Sequence, residues 1–137
     1  DKDVAKLTEI EGIGEAYAAK LAEAGIASLE SLLTTCSQKN GRKETAEKTG
    51  ISEKLLLGWA NRADLSRIKG VSTQYADLLE CAGVDTVPEL AQRNAANLHA
   101  RMAEVNEEKK LVRQVPGLAQ VEDWVGQAKD LPRVITH

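Results

Sequence analysis

Residues 7–33 of this chain, LTEIEGIGEAYAAKLAEAGIASLESLL, align without a gap to residues 65–91, LSRIKGVSTQYADLLECAGVDTVPELA. Leu7/Leu65, Ile10/Ile68, Gly12/Gly70, Tyr17/Tyr75, Ala18/Ala76, Leu21/Leu79, Ala24/Ala82, Gly25/Gly83 and Leu32/Leu90 are identical. Ile13/Val71, Ile26/Val84 and Leu29/Val87 exchange one aliphatic side chain for another. The likeness resumes at WANRADL (59–65) and WVGQAKDL (124–131), after a longer connection in the second copy. A duplicated chain folds as two versions of one supersecondary unit, so a local structure proposed for one copy has to suit the other. The units are read as residues 1–64 and 65–131, followed by a tail over 132–137, and are expected to pack as one domain.

Within each unit the punctuation predicts short helices. Val4, Leu7 and Ile10 share one face of a first helix that Asp1 or Asp3 would cap. Gly12 ends it, because left-handed backbone is cheap only for glycine. A second helix carries Tyr17, Ala18, Leu21 and Ala22 inward and stops at Gly25; Ile26 packs back and Ser28 starts a third. In the second copy that start is TVPE, where Thr86 and Glu89 have capping-box spacing and Pro88 lies in the first turn. A basic loop, QKNGRK, leads to ETAEKTG, and Ser52 caps a last helix through Trp59. The second copy has the longer bridge NEEKKLVRQVPGLAQ, broken at Pro116-Gly117. No alternation of β-branched residues suggests a strand. The fold class expected is all-α, a compact array of short helices built from two tandem repeats.

Composition narrows the functions open to such an array. Phe is absent and aromatic residues make up only 3% of the chain, so the core has to be aliphatic. All four rings fall at matched positions, Tyr17 with Tyr75 and Trp59 with Trp124, which points to packing rather than to stacking on bases. The net charge of −3 rules out the phosphate attraction of a strongly basic surface, so any nucleic-acid contact has to be local. No apolar run is long enough to span a bilayer and no signal-peptide pattern is seen, so a cytoplasmic location and no membrane partner are expected. Cys36 and Cys81 stand far apart without a CxxC and are read as unpaired thiols. His99 and His137 are solitary, and no nucleophile set or metal-ligand spacing appears. Neither enzyme activity nor a cofactor, metal or small-molecule substrate is expected.

The pattern Ile10-x-Gly12-Ile13-Gly14-x-x-Tyr17-Ala18-x-x-Leu21 resembles the helix-hairpin-helix motif. That resemblance implies that Gly12 permits the turn, Ile13 tucks beneath it, and Gly14 lets the backbone approach a ligand. Amides at the start of the following helix would then meet a DNA backbone phosphate without reading sequence. The matching turn in the second copy is Gly70, Val71 and Ser72. The tandem arrangement is similar to the domain-of-unknown-function family 4332 over nearly the whole chain, including GRKETAEKTGISEKLLLGWANRADL and AGVDTVPELAQRNAANLHARM. Hairpins of that family have been likened to the helix-three-turn-helix region of flap endonucleases. For this chain the likeness implies backbone binding at most, since it has no carboxylate cluster spaced as such nucleases need.

The two copies depart from the binding pattern in different ways. The first keeps both glycines but surrounds them with Glu9, Glu11 and Glu15. The second has Arg67 and Lys69 but replaces the second glycine with Ser72. Carboxylates a few ångströms from a phosphate repel it by roughly 1 kcal/mol per pair even in water, comparable with one helix-terminus contact. Candidate phosphate ligands are therefore Arg67, Lys69, Gly70 and Ser72, with Lys39, Arg42 and Lys43 of the basic loop. Glu9, Glu11 and Glu15 form a candidate acidic docking patch. Ala46, Gly50 and Leu56 also match helix-turn-helix spacing, although any tight helix pair needs the same residues. The function expected is a non-catalytic adaptor or scaffold that docks a protein partner or a second copy of itself. The alternative is weak, sequence-independent binding of duplex DNA through the second hairpin.

Overall fold

A computed structural model describes residues 7–10 and 12–136. Among them a 3-10 turn, Leu7–Glu9, is followed by eight α-helices and no strand. The helices are α1 Glu15–Glu23, α2 Leu29–Cys36, α3 Lys39–Thr49, α4 Glu53–Leu65, α5 Thr73–Cys81, α6 Val87–Ala91, α7 Ala95–Lys109 and α8 Leu118–Asp130. The chain divides into two units, residues 1–64 with 134–137, and residues 65–133. The expected first helix shrinks to the 3-10 turn over the described residues; Asp1, Asp3 and Val4 lie outside them. Leu7 and Ile10 are buried as the pattern required.

Local chemistry accounts for the helix boundaries. Ser28 and Ser31 form a reciprocal capping box at the start of α2. At α6, Thr86 Oγ1 accepts the Glu89 amide at 3.2 Å, with Pro88 in the first turn. Ser52 Oγ accepts the Leu55 amide at 3.1 Å and opens α4. Helices α1 and α5 both end in a Schellman arrangement. Ile26 N reaches Leu21 O at 2.8 Å and Val84 N reaches Leu79 O at 2.9 Å, and both aliphatic side chains fold back into a core.

The hairpin turns at Gly12 and Gly70 are closed by equivalent bonds. Ile13 N donates to Ile10 O at 3.1 Å, and Val71 N donates to Ile68 O at 3.0 Å. Ile13 and Val71 are each 3% exposed, so the residue at each tip is tucked under its turn. Gly12 has φ +96° and Gly70 φ +93°. Each also lies over the indole of its own unit. A methyl at Gly70 would sit 2.9 Å from Trp124 Nε1, and one at Gly12 would sit 3.4 Å from Trp59 Nε1. The same indoles meet the aligned tyrosines. Ring centroids are 5.2 Å apart for Tyr17 and Trp59 and 5.4 Å for Tyr75 and Trp124. Trp59 and Trp124 are buried, which accounts for reuse of the aromatic positions by packing.

The first unit buries Leu7, Ile10, Leu21, Leu32, Leu56 and Trp59 in one core, to which Ile135 of the tail also belongs. In that unit α2 and α3 approach so closely that a Cβ on Gly41 would overlap Thr35 O. The second core gathers Leu65, Ile68, Leu79, Leu90, Leu98 and Trp124. The two glycines of the first hairpin are not equivalent. Gly14 has φ −85° and ψ −179°, and open space surrounds its missing Cβ. We expect Gly70→Ala to cost about 2 kcal/mol or more from the left-handed backbone and the indole contact, and Gly12→Ala somewhat less. Gly14→Ser should stay within ~0.5 kcal/mol of the parent. Urea unfolding of the three variants checks this order, and equal losses at Gly12 and Gly14 would contradict it.

Candidate functional site

An anion seated at a helix start needs amides that nothing else occupies. Gly14 and Ser72 are the N-caps of α1 and α5 and share one backbone conformation, Ser72 having φ −75° and ψ 172°. Their chemistry differs. Ser72 Oγ accepts the Tyr75 amide at 3.2 Å, so α5 is capped from within and an incoming phosphate would compete for that amide. At α1 no side chain caps the amides, but exposed Glu15 occupies the first turn and exposed Glu9 lies just upstream. A carboxylate there favours the helix dipole and repels an anion. Glu11 lies outside the described residues.

Arg67 and Lys69 are exposed on either side of buried Ile68. The Lys69 backbone is held by α8 on both sides of its peptide group. Its amide donates to Gln127 Oε1 at 2.9 Å and its carbonyl accepts from Gln127 Nε2 at 3.2 Å. Gln127 Nε2 also donates to Asp123 Oδ2 at 2.9 Å. The turn is thereby pinned to its own unit, and both charged side chains are left on the surface.

The basic stretch at 39–43 differs from its expected form. It is the start of helix α3, not a loop, because Gln38 takes the extended N-cap conformation and helix follows at once. Lys39 and Lys43 are exposed, one turn apart. Arg42 is only 4% exposed and cannot meet a phosphate. Its guanidinium donates to Cys36 O at 2.9 Å and Ser37 O at 3.1 Å, and through Nη2 to Thr136 O at 2.6 Å. Thr136 N in turn donates to Ser37 O at 2.8 Å. Arg42 therefore closes the C-terminus of α2 and anchors residues 134–136 to the first unit. The fork geometry of the guanidinium suits this task of binding several carbonyls.

Cys36 and Cys81 are both free thiols. Burial pushes the Cys36 thiol above its usual value of 9.0, outweighing the opposing hydrogen bond with Thr45 and the Arg42 charge, so it stays protonated at neutral pH. Gly50 ends α3 with its amide on Ala46 O at 2.8 Å, and Leu56 is buried. The helix-turn-helix spacing thus describes packing, and Glu53 stands in the first turn of α4, where a DNA-reading helix would meet phosphate. Among the described residues, no group of three or more His, Cys, Asp or Glu is placed to hold a metal.

A cleft of about 850 Å³ lies beside the second hairpin. One wall is Ser72, Gln74 and Tyr75 at the start of α5, and the other is Asn106, Glu107 and residues 110–114. The extra length of the second copy supplies that second wall. Asn106 clamps the loop with two bonds, Nδ2 to Val112 O at 3.0 Å and Oδ1 from Val112 N at 2.9 Å. Tyr75 Oη donates to Gln114 O at 3.1 Å. Sequence reading singled out none of the residues of this loop. The signal for it was the run KKLVR inside the segment that broke the repeat.

A family model described as Domain of unknown function (DUF4332) matches residues 11–131. The chain belongs to that family. No curated protein and no solved structure matches it significantly. In this DUF4332 chain, Arg42→Ala should lower unfolding free energy by about 2–4 kcal/mol, because it strands buried carbonyls and releases Ile135 from the core. Urea denaturation followed by circular dichroism measures the loss. A change within ~0.5 kcal/mol, as for a surface arginine, would contradict the anchoring role.

Proposed function

We propose that this DUF4332 chain is a non-catalytic binding module on two helix-hairpin-helix-like turns, and that its partner is a protein or a second copy of itself. The observation that carries this reading is that neither helix start offers a phosphate both open amides and a favourable charge. Ser72 caps its own helix, Arg42 is buried on carbonyls, and the uncapped start of α1 lies beside Glu9 and Glu15. What the two turns offer instead is surface charge of opposite sign at matched positions. Glu9 aligns with Arg67, and both are exposed. Glu11 aligns with Lys69, which is also exposed. Complementary charge on like-shaped turns favours heterologous, head-to-tail association and sets its orientation.

Surface pairs of this kind are individually weak, so association should be modest and salt-sensitive. Light scattering at low salt is expected to give a mass above the 14.8 kDa monomer for the parent chain as concentration rises. The Lys69→Glu variant should remain closer to monomer mass. Monomer mass for both proteins at every concentration would overturn self-docking.

A second reading, sequence-independent duplex DNA binding, keeps Arg67, Lys69, Gly70 and Ser72 and is favoured by the exposure of both cations beside the α5 start. With Arg42 buried and Lys39 and Lys43 in the other unit, few phosphates could be neutralised. Anisotropy of a labelled duplex at low salt should therefore show no saturable binding. Saturable binding that the double reversal Arg67→Glu/Lys69→Glu abolishes would establish the DNA reading instead.

A further inference from the structure

The 110–114 loop stands where the first unit has only the three residues 50–52 between its last two helices. An ordered loop added to a helical unit lies where binding groups are commonly presented. Leu111 and Val112 pack against the second core, and the Asn106 clamp and the Tyr75–Gln114 bond fasten the loop at two points. The wall it forms is therefore built before any ligand arrives, which removes the cost of ordering it.

The cleft's volume of about 850 Å³ is far larger than one inorganic anion needs. Small-molecule sites are mostly apolar and enclosing, whereas this lining is dominated by amides, hydroxyls and charges. The amide of Asn106 is fully engaged by Val112. Ser72 has its oxygen on the Tyr75 amide, which leaves its O–H to donate. Lys110 and Arg113 are exposed and make no side-chain hydrogen bond or ion pair among the described residues. Glu107 is the only acidic group in the lining, so cations outnumber it in a chain whose overall charge is negative.

Resting on the reading of this chain as a protein-docking module, we infer that the cleft between Ser72–Tyr75 and Lys110–Gln114 receives an extended acidic protein segment. Its carboxylates pair with Lys110 and Arg113, and its backbone meets Ser72, Gln74 and Gln114. This is recognition of an acidic motif by basic side chains on a preformed surface.

Anisotropy of a fluorescein-labelled twelve-residue Glu-Ser repeat peptide, titrated with the full chain at low salt, tests the inference. Saturable binding is expected. Lys110→Glu/Arg113→Glu should weaken it by about tenfold or more, from two partly exposed pairs turned repulsive. Arg113→Lys should retain most of it. The double variant Lys48→Glu/Lys54→Glu carries the same charge change on the exposed surface of the first unit and should alter the affinity less than twofold. Urea midpoints near that of the parent would show that the variants fold. Absence of binding, or equal loss in both double variants, overturns the site. Displacement by pyrophosphate or duplex DNA at concentrations below those of unlabelled peptide overturns the ligand class in favour of phosphate. Loss of self-association with peptide binding intact would leave this site standing, and the converse would leave self-docking standing alone.

Discussion

Everything in each unit hangs on the fit of a bare hairpin backbone over a buried indole. At Gly70 the space a methyl would fill is already within 2.9 Å of Trp124 Nε1, and at Gly12 the matching distance to Trp59 Nε1 is 3.4 Å. The positive φ at both positions turns the chain sharply enough for Ile13 or Val71 to fold beneath the turn. The same indole leans on the tyrosine one helical turn into the next helix. One contact therefore joins the turn, the helix that follows it and the last helix of the unit. Among the described residues no acceptor meets Trp124 Nε1 in its buried position.

This constraint changes what the glycines mean for function. A Gly-Ile-Gly turn before a helix invites a phosphate, yet only Gly12 is demanded by the fold, and Gly14 is left in ordinary extended backbone with room around it. The aligned Ser72 uses the same backbone to cap α5 from within. What the two turns present outward is charge: Glu9 and Glu15 on the first, Arg67 and Lys69 on the second. The added loop beside the second turn extends that basic surface into a walled cleft, with Lys110 and Arg113 on it.

Much of the fold was legible in the sequence, for identifiable reasons. Capping residues act locally, so Ser28, Ser52 and the Thr86–Glu89 pair marked helix starts from their spacing alone. The duplication supplied a second test of each turn, and the buried tips and indoles followed from the matched residues. Arg42 was misread, because a charged residue in QKNGRK looks solvated until the tail, 94 residues away, closes over it. Gly41 carries no local signal for a similar reason: its need for glycine comes from the Thr35 carbonyl of the neighbouring helix. The cleft is not legible in the sequence, because it exists only where residues 72–75 and 110–114 come together, and the repeat alignment breaks at the second of these. Long-range contacts of this kind leave no periodic trace.

The most direct test of the hairpin account is a double-mutant cycle on Gly70→Ala and Trp124→Phe, read as urea-unfolding free energies. Phenylalanine removes the Nε1 edge that faces Gly70 and keeps an aromatic ring in the core. If the glycine is there to clear the indole, alanine at 70 should cost about 1 kcal/mol less beside phenylalanine than beside tryptophan, the remainder being the left-handed backbone. Strict additivity within ~0.3 kcal/mol would contradict this. It would mean that Gly70 answers to backbone conformation alone, and that the indole does not govern the turn.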